Sequence, residues 1–318
     1  MTRVALGLCG LTLLGCARSP YTWTPPAAPS ATARQVRNAI EAGDGDLEVR
    51  EWQRALVRDP RDRVSRAKLA WRFESVGAPE LAIEHYRAIL GDRPSDEAAR
   101  LGVVRNLRRL GLEKEAAAEL EAAPDPSPAI LSTLGIVRDG AGDYGAAETA
   151  HRAALRLASG DAALYSNLGY NLFLQRRHAE AVECFEVALK IAPRSGIARG
   201  NLALTLAHMP GGAERALEHW KSMGGPAAAH NNLAAALIEQ GRAAEAREHL
   251  ALALREAGPS PETLANLDAV AKLDGGPAAV SPAKNPNAFS RAMRAMKGWL
   301  VRQDPAPAPT VAARGRSR

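Results

Sequence analysis

The chain has 318 residues, 46% of them hydrophobic but only 4% aromatic, with three cysteines and a formal net charge of +6. A chain of this length buries enough apolar surface to hold together without a disulfide lattice. Scarce aromatics and the lack of alternating β-branched runs exclude a β-rich fold, and the placement of the charge, described below, excludes nucleic acid as a designed partner.

Residues 1–16 read MTRVALGLCGLTLLGC. Arg3 precedes an apolar run from Val4 to Leu14 that is too short to span a bilayer and suits an export signal. Leu13-Leu14-Gly15-Cys16 resembles the bacterial lipobox. That resemblance implies removal of residues 1–15 and lipidation, palmitate included, on Cys16. Cys9 lacks a small residue before it. The non-acidic Ala17 implies, by the same resemblance, an outer-membrane anchor facing the periplasm. Residues 16–31 then form a Pro/Ala/Ser-rich tether, reaching about 20 Å as a flexible coil and at most about 50 Å. Several acyl chains on one cysteine anchor a protein stably where a single chain does not. With Cys16 acylated and the signal removed, Cys184 is the sole free thiol. Beside Phe185, it reads as a small packing residue.

From residue 29 the sequence repeats. Residues 162–195 read AALYSNLGYNLFLQRRHAEAVECFEVALKIAPRS. With Ala162 as position 1, Tyr165, Leu168, Gly169, Leu172, Ala181, Phe185, Ala188 and Pro193 stand at positions 4, 7, 8, 11, 20, 24, 27 and 32. The small residues let two antiparallel helices touch, Leu168, Leu172 and Phe185 fill the space between them, and Pro193 stops the second helix. The same frame opens at 29, 63, 97, 128, 162, 196, 227 and 261, at intervals of 34 or 31 residues. Repeat 63 carries Leu69, Ala70, Phe73, Gly77, Ala82, Tyr86 and Pro94 in register. Pro124 and Gly224-Gly225-Pro226 shorten the second helices of the two shorter repeats. Repeat 261 has a first helix only, which would cover the apolar side of repeat 227.

These residues resemble the tetratricopeptide repeat over roughly 29–274. The resemblance implies an all-α, right-handed α-solenoid of stacked helix-turn-helix hairpins over 32–274. It also implies first helices lining a concave face, with position 6 pointing into it. Position 6 is asparagine in four successive repeats: Asn167, Asn201, Asn232 and Asn266. An amide both donates and accepts. Packed helices stand about 10 Å apart and an extended chain rises about 3.3 Å per residue, so the ladder would grip a peptide near every third residue. Tyr170 and Phe173, at positions 9 and 12, would add an apolar anchor. The alternative is that asparagine is simply a frequent residue at this position. Arg34, Lys68, Gly102 and Thr133 break the series upstream.

A Gly/Pro/Ala linker covers 275–287, and Phe289, Ala292, Met293, Met296 and Leu300 then follow helical spacing, predicting an amphipathic helix over 288–302. Arg291, Arg294 and Lys297 lie off that stripe. The helix either caps the solenoid or lies on anionic lipid or in a partner's groove. Residues 303–318 read as a disordered basic tail. Residues 284–318 hold eight basic residues against Asp304 alone, and Arg3 lies in the signal, leaving 32 basic and 34 acidic residues elsewhere. A near-neutral solenoid with a basic tail is no nucleic-acid binder.

No zinc signature, nucleophile elbow or phosphate loop is present. Glu84-His85, Glu218-His219 and Glu248-His249 recur because the repeat recurs, and equivalent positions run along a solenoid without converging. His151 replaces an apolar residue at position 24 and reads as a packing oddity. The expectation is therefore a non-enzymatic, membrane-anchored scaffold with no cofactor, metal or small-molecule substrate. Its partners would be envelope proteins or extended peptide segments, held in a pilus, secretion or motility complex. The alternatives are a permanent structural subunit of a trans-envelope machine and an adaptor for peptidoglycan hydrolases.

Overall fold

A computed structural model of the chain describes residues 47–276 continuously, with 31, 34–36 and 38 before them. Cys16, the tether and the amphipathic segment 288–302 lie outside the described residues. Every element among the described residues is helical. The order is α1 (Leu47–Arg58), α2 (Arg63–Ser75), α3 (Pro79–Asp92), α4 (Glu97–Arg109), α5 (Glu113–Glu121), α6 (Pro128–Gly140), α7 (Tyr144–Leu157), α8 (Ala162–Leu174), α9 (His178–Ile191), α10 (Gly196–Ala207), α11 (Ala213–Glu239), α12 (Ala243–Ala257) and α13 (Pro261–Asp274). Each helix packs on the next, as in a solenoid. None is long and apolar enough to cross a membrane.

Local chemistry sets this rhythm. The first helices open on a side-chain cap: Asp62 on Val64 and Ser65, Asp96 on Ala99, Ser127 on Ile130, Asp161 on Ala163, Ser195 on Ala198 and Ser260 on Thr263. Each cap satisfies a backbone N–H that the helix itself leaves unpaired. The turn between the two helices of a repeat needs one left-handed residue. Gly77, Gly111, Gly142, Gly211 and Gly241 supply it at φ between 70° and 81°, and in repeat 162 Arg176 takes the same conformation at φ 62°. Helices α1, α3 and α9 stop two residues before Pro60, Pro94 and Pro193. Arg66, Arg100 and Arg199, all at position 4, donate to the carbonyls of those prolines and tie the turn between repeats to the next first helix.

The two shortened repeats end differently. Helix α5 has nine residues and stops before Pro124. Helix α11 instead runs through Gly224-Gly225-Pro226 with a kink at Gly225 (φ 79°, ψ 177°). The second helix of repeat 196 and the first helix of repeat 227 are thus fused, with no loop between them.

The core forms two clusters, one from Val49 to Ala150 and one from Leu168 to Val270. Phe185, Leu69, Leu107, Leu172, Leu233, Leu237 and Leu250 are sealed from solvent. Helix α13 packs on both α11 and α12, with Val270 fully buried.

Candidate functional site

First helices of successive repeats touch one another: α6 with α8, α8 with α10, and α11 with α13. Successive second helices make no comparable contact. The first helices therefore form the tight inner row on which a partner segment would lie.

The four asparagines on this row do not behave alike. Asn167 on α8 donates from Nδ2 to Ser132 Oγ on α6 at 2.9 Å. Asn266 on α13 donates to Asn231 Oδ1 on α11 at 3.0 Å, with a longer approach to the Asn231 carbonyl at 3.4 Å. In both cases position 6 reaches back to position 5 of the preceding first helix. The register partner of Asn201 is Ser166, but Ser166 gives its hydroxyl to the Ala162 carbonyl of its own helix at 3.0 Å. Asn201 is 2% exposed, and neither atom of its amide has a partner. The register partner of Asn232 is Gly200, which has no side chain. Asn232 is half-buried. Two rungs of the expected ladder are thus spent on holding repeats together, and the two between them are not.

One turn along α8 from Ser166, the register partner of Asn201, begins the aromatic pair expected at positions 9 and 12. Tyr170 and Phe173 have ring centroids 6.2 Å apart at an interplanar angle of 27°. Two histidines that sequence spacing does not single out join them. His208, the C-terminal cap of α10, meets Phe173 edge-on at 5.1 Å, and His178 of α9 lies 5.4 Å from Phe173. His208 Nδ1 faces the Leu204 carbonyl at 2.9 Å, so Nδ1 carries the hydrogen and Nε2 turns toward Glu239, 3.8 Å away. Burial pushes the Tyr170 phenol up to about 12, helped by the negative charges of Asp139 and Glu239. Burial also holds His178 below the ordinary histidine value, reinforced by His208 and Arg176.

The rim of the row is braced by acids at position 12, Glu74 buried and Asp139 partly buried. Asp139 accepts from His151 Nε2 at 3.0 Å and from Asn171 Nδ2 at 2.6 Å. Glu74 accepts from the Tyr86 hydroxyl at 3.2 Å and from Arg105 at 3.1 and 3.2 Å. His151 is thus no packing oddity: it is 1% exposed and fills the position 24 place that Tyr86 fills in repeat 63, each donating to the acid twelve residues earlier. Lys68 and Thr133, which interrupt the asparagine series, serve the scaffold. Lys68 lies over the Trp52 ring, 5.5 Å from its centroid, and Thr133 donates to the Ala129 carbonyl. Burial pushes the half-buried Cys184 thiol up to about 11, which keeps it protonated and unreactive.

Among the described residues no three His, Cys, Asp or Glu side chains gather as a metal site. His85, His219 and His249 stay apart along the solenoid, but His249 meets a histidine outside that series, His230, within its own repeat.

The fold and its inner row define a helical-repeat scaffold, a class that binds proteins and peptides. Residues 162–195 and 197–261 match the tetratricopeptide repeat. A crystal structure of a tetratricopeptide repeat protein from Parabacteroides merdae superposes with a TM-score of 0.53 at 14% identity, covering 75% of this chain and 97% of that one. The APC/C hetero-tetramer Cut9-Hcn1 gives a TM-score of 0.51 at 16% identity, covering 76% of this chain and 48% of that one. No curated protein matches the sequence. The likeness to the tetratricopeptide repeat family covers those two stretches, and the two solved structures share the fold.

Proposed function

We propose that this protein is a lipid-anchored scaffold, tethered through Cys16 to the outer membrane and facing the periplasm. Its inner row holds an extended segment of an envelope partner and so assembles or stabilises a pilus, secretion or motility complex. The anchoring half of this reading rests on the lipobox-like Leu13-Leu14-Gly15-Cys16. The binding half rests on one observation: on a row where Asn167 and Asn266 bond the scaffold, the buried amide of Asn201 has no partner. A buried amide without a partner costs about 1–3 kcal/mol. A peptide backbone laid across the row would recover part of that cost, and the aromatic pair would take up an apolar side chain.

Two experiments test the two halves separately. Radiolabelled palmitate should appear on the wild-type protein and not on Cys16→Ser; an unlabelled wild type would remove the anchor. Envelope proteins captured by the wild type in cells should be lost from the double variant Asn201→Ala with Asn232→Ala at unchanged helicity. Equal capture by both would remove the groove.

A further inference from the structure

His230 lies on α11 five residues beyond the kink at Gly225, and His249 lies on α12. Their Nδ1 atoms are 3.0 Å apart, their ring centroids 5.3 Å, and their planes 20° from parallel. With the nitrogens that close and the centroids that far, both nitrogens lie near the line between ring centres. The rings meet edge to edge, in the geometry of an N–H···N hydrogen bond. A metal ion would not fit between them, since two ring nitrogens on opposite sides of one centre, each about 2 Å from it, stand about 4 Å apart.

Such a pair counts protons. When both imidazoles are neutral, one Nδ1 carries the hydrogen and the other offers its lone pair, so the two rings are opposite tautomers. One added proton goes to the outer Nε2 of the donor ring, and the bond becomes charge-assisted and stronger. A second added proton puts hydrogen on both Nδ1 atoms, which then face each other across 3.0 Å. No arrangement of two imidazolium rings in this contact avoids that clash.

The rest of the solenoid shows how unusual the pair is. Position 4 is Arg66, Arg100 and Arg199 in three earlier repeats, where the guanidinium ties to a proline carbonyl. Opposite it, at position 23, His85 and His219 face a permanent cation: Arg66 acts on His85 and Arg199 on His219. In repeat 227 the fused helix at Gly225-Pro226 removes the turn that such an arginine would tie, and His230 turns to His249 instead. The charges that act on the pair are few. Lys221, before the kink on α11, opposes charge on His230 and Glu256 of α12 favours it. Glu248 and Glu245 of α12 favour charge on His249. Arg199, the only charged side chain of α10, acts on His219, and Asp274 of α13 is taken up by Arg247 of α12.

We infer that His230 and His249 form a proton-counting latch across the last complete repeat: it stays closed with none or one added proton and opens with the second, loosening α12 and the α13 cap. Burial, the largest influence on both rings, supports this by holding each below the ordinary histidine value of 6.5. The sign follows from that depression. The unfolded chain takes up protons before the folded one does, so the stability of this repeat is complete above that value and is lost as pH falls below it.

Nitrogen-15 NMR of the full chain near pH 8 reads the latch directly: one of the two rings should be the Nδ1–H tautomer and the other the Nε2–H tautomer. Two Nε2–H rings would overturn it. Hydrogen exchange reads the opening. Between about pH 7.5 and pH 5, protection of residues 226–274 should fall about tenfold more than that of 128–191. In His230→Arg, which recreates the Arg199–His219 arrangement and leaves one histidine of the pair to charge, the extra fall should shrink. Parallel protection in the wild type, or an undiminished difference in His230→Arg, would also overturn the proposal. The tautomer measurement stands whether or not that variant folds.

Discussion

Asn167 Nδ2 lies 2.9 Å from Ser132 Oγ, linking the first helices of two successive repeats across 35 residues of sequence. Asn266 makes the same reach to Asn231, while Asn201 finds Ser166 already committed to Ala162. Position 6 is therefore a joint in some repeats and an open amide in others. Asn167→Ala leaves the buried Ser132 without its donor and should cost about 1 kcal/mol in urea unfolding. Asn201→Leu removes an amide that is already unpaired and replaces it with an apolar side chain of similar size, so it should leave stability unchanged or raise it. Its effect should show in partner capture, which falls. A loss of 2 kcal/mol or more in Asn201→Leu would mean that the amide is bonded after all.

Gly135 of α6 presses on the imidazole of His151, and a β-carbon there would clash with three atoms of the ring. His151 has nowhere to go, since it is sealed and held by Asp139. Gly135→Ala should therefore cost about 1–3 kcal/mol, the usual penalty of overpacking. Gly140→Ala, on the same helix with nothing within 4 Å of the added carbon, should be neutral or gain about 0.5–1 kcal/mol from the stiffer backbone. Urea midpoints of the two variants check the contrast.

Arg176 holds φ at 62°, where the equivalent turns use glycine. A non-glycine residue there carries about 1–2 kcal/mol of backbone strain. Glycine removes that strain but adds freedom to the unfolded chain. Arg176→Gly should thus stabilise the protein by about 0.5–1 kcal/mol, read as a higher melting temperature. A lower one would show that the exposed guanidinium does more than fill a turn.

The repeat frame was legible because it rests on residues that act locally. Small residues at helix crossings, prolines after second helices and apolar positions at 3.6-residue spacing mark where helices start, pack and stop. The helices at Arg63, Glu97, Pro128, Ala162, Gly196 and Pro261 begin where the frame opens. The aromatic pair of Tyr170 and Phe173 was legible for the same reason, being three residues apart on one helix. What joins one helix to another was not. Ser166 bonds its own helix while Ser132 accepts from the next repeat, and no spacing distinguishes them. The bond between His151 and Asp139, and the meeting of His230 with His249, depend on which way two side chains lean across a helix contact. A one-dimensional register carries positions and not those directions.

Glu74 shows how such a cross-repeat contact governs acid stability. It is 9% exposed and is held by the Tyr86 hydroxyl and by Arg105. Burial pushes its carboxyl up, but the hydrogen bonds and charge of Arg105, with help from Asn106 and Arg109, outweigh that and leave it below its ordinary value of 4.5. A depressed carboxyl contributes stability that is complete above its unfolded value and disappears as pH falls through the folded one. Glu74→Gln keeps the shape and removes the charge. Arg105 and Arg109 are partly exposed and can turn to solvent, so the loss at neutral pH should be about 1–2 kcal/mol. The gap between variant and wild type should shrink as pH drops below the carboxylate range, because the wild-type side chain is then protonated too. Urea titrations at a series of pH values read that gap. A difference that stays constant into the acid range would mean that Glu74 acts through its shape and not through its charge.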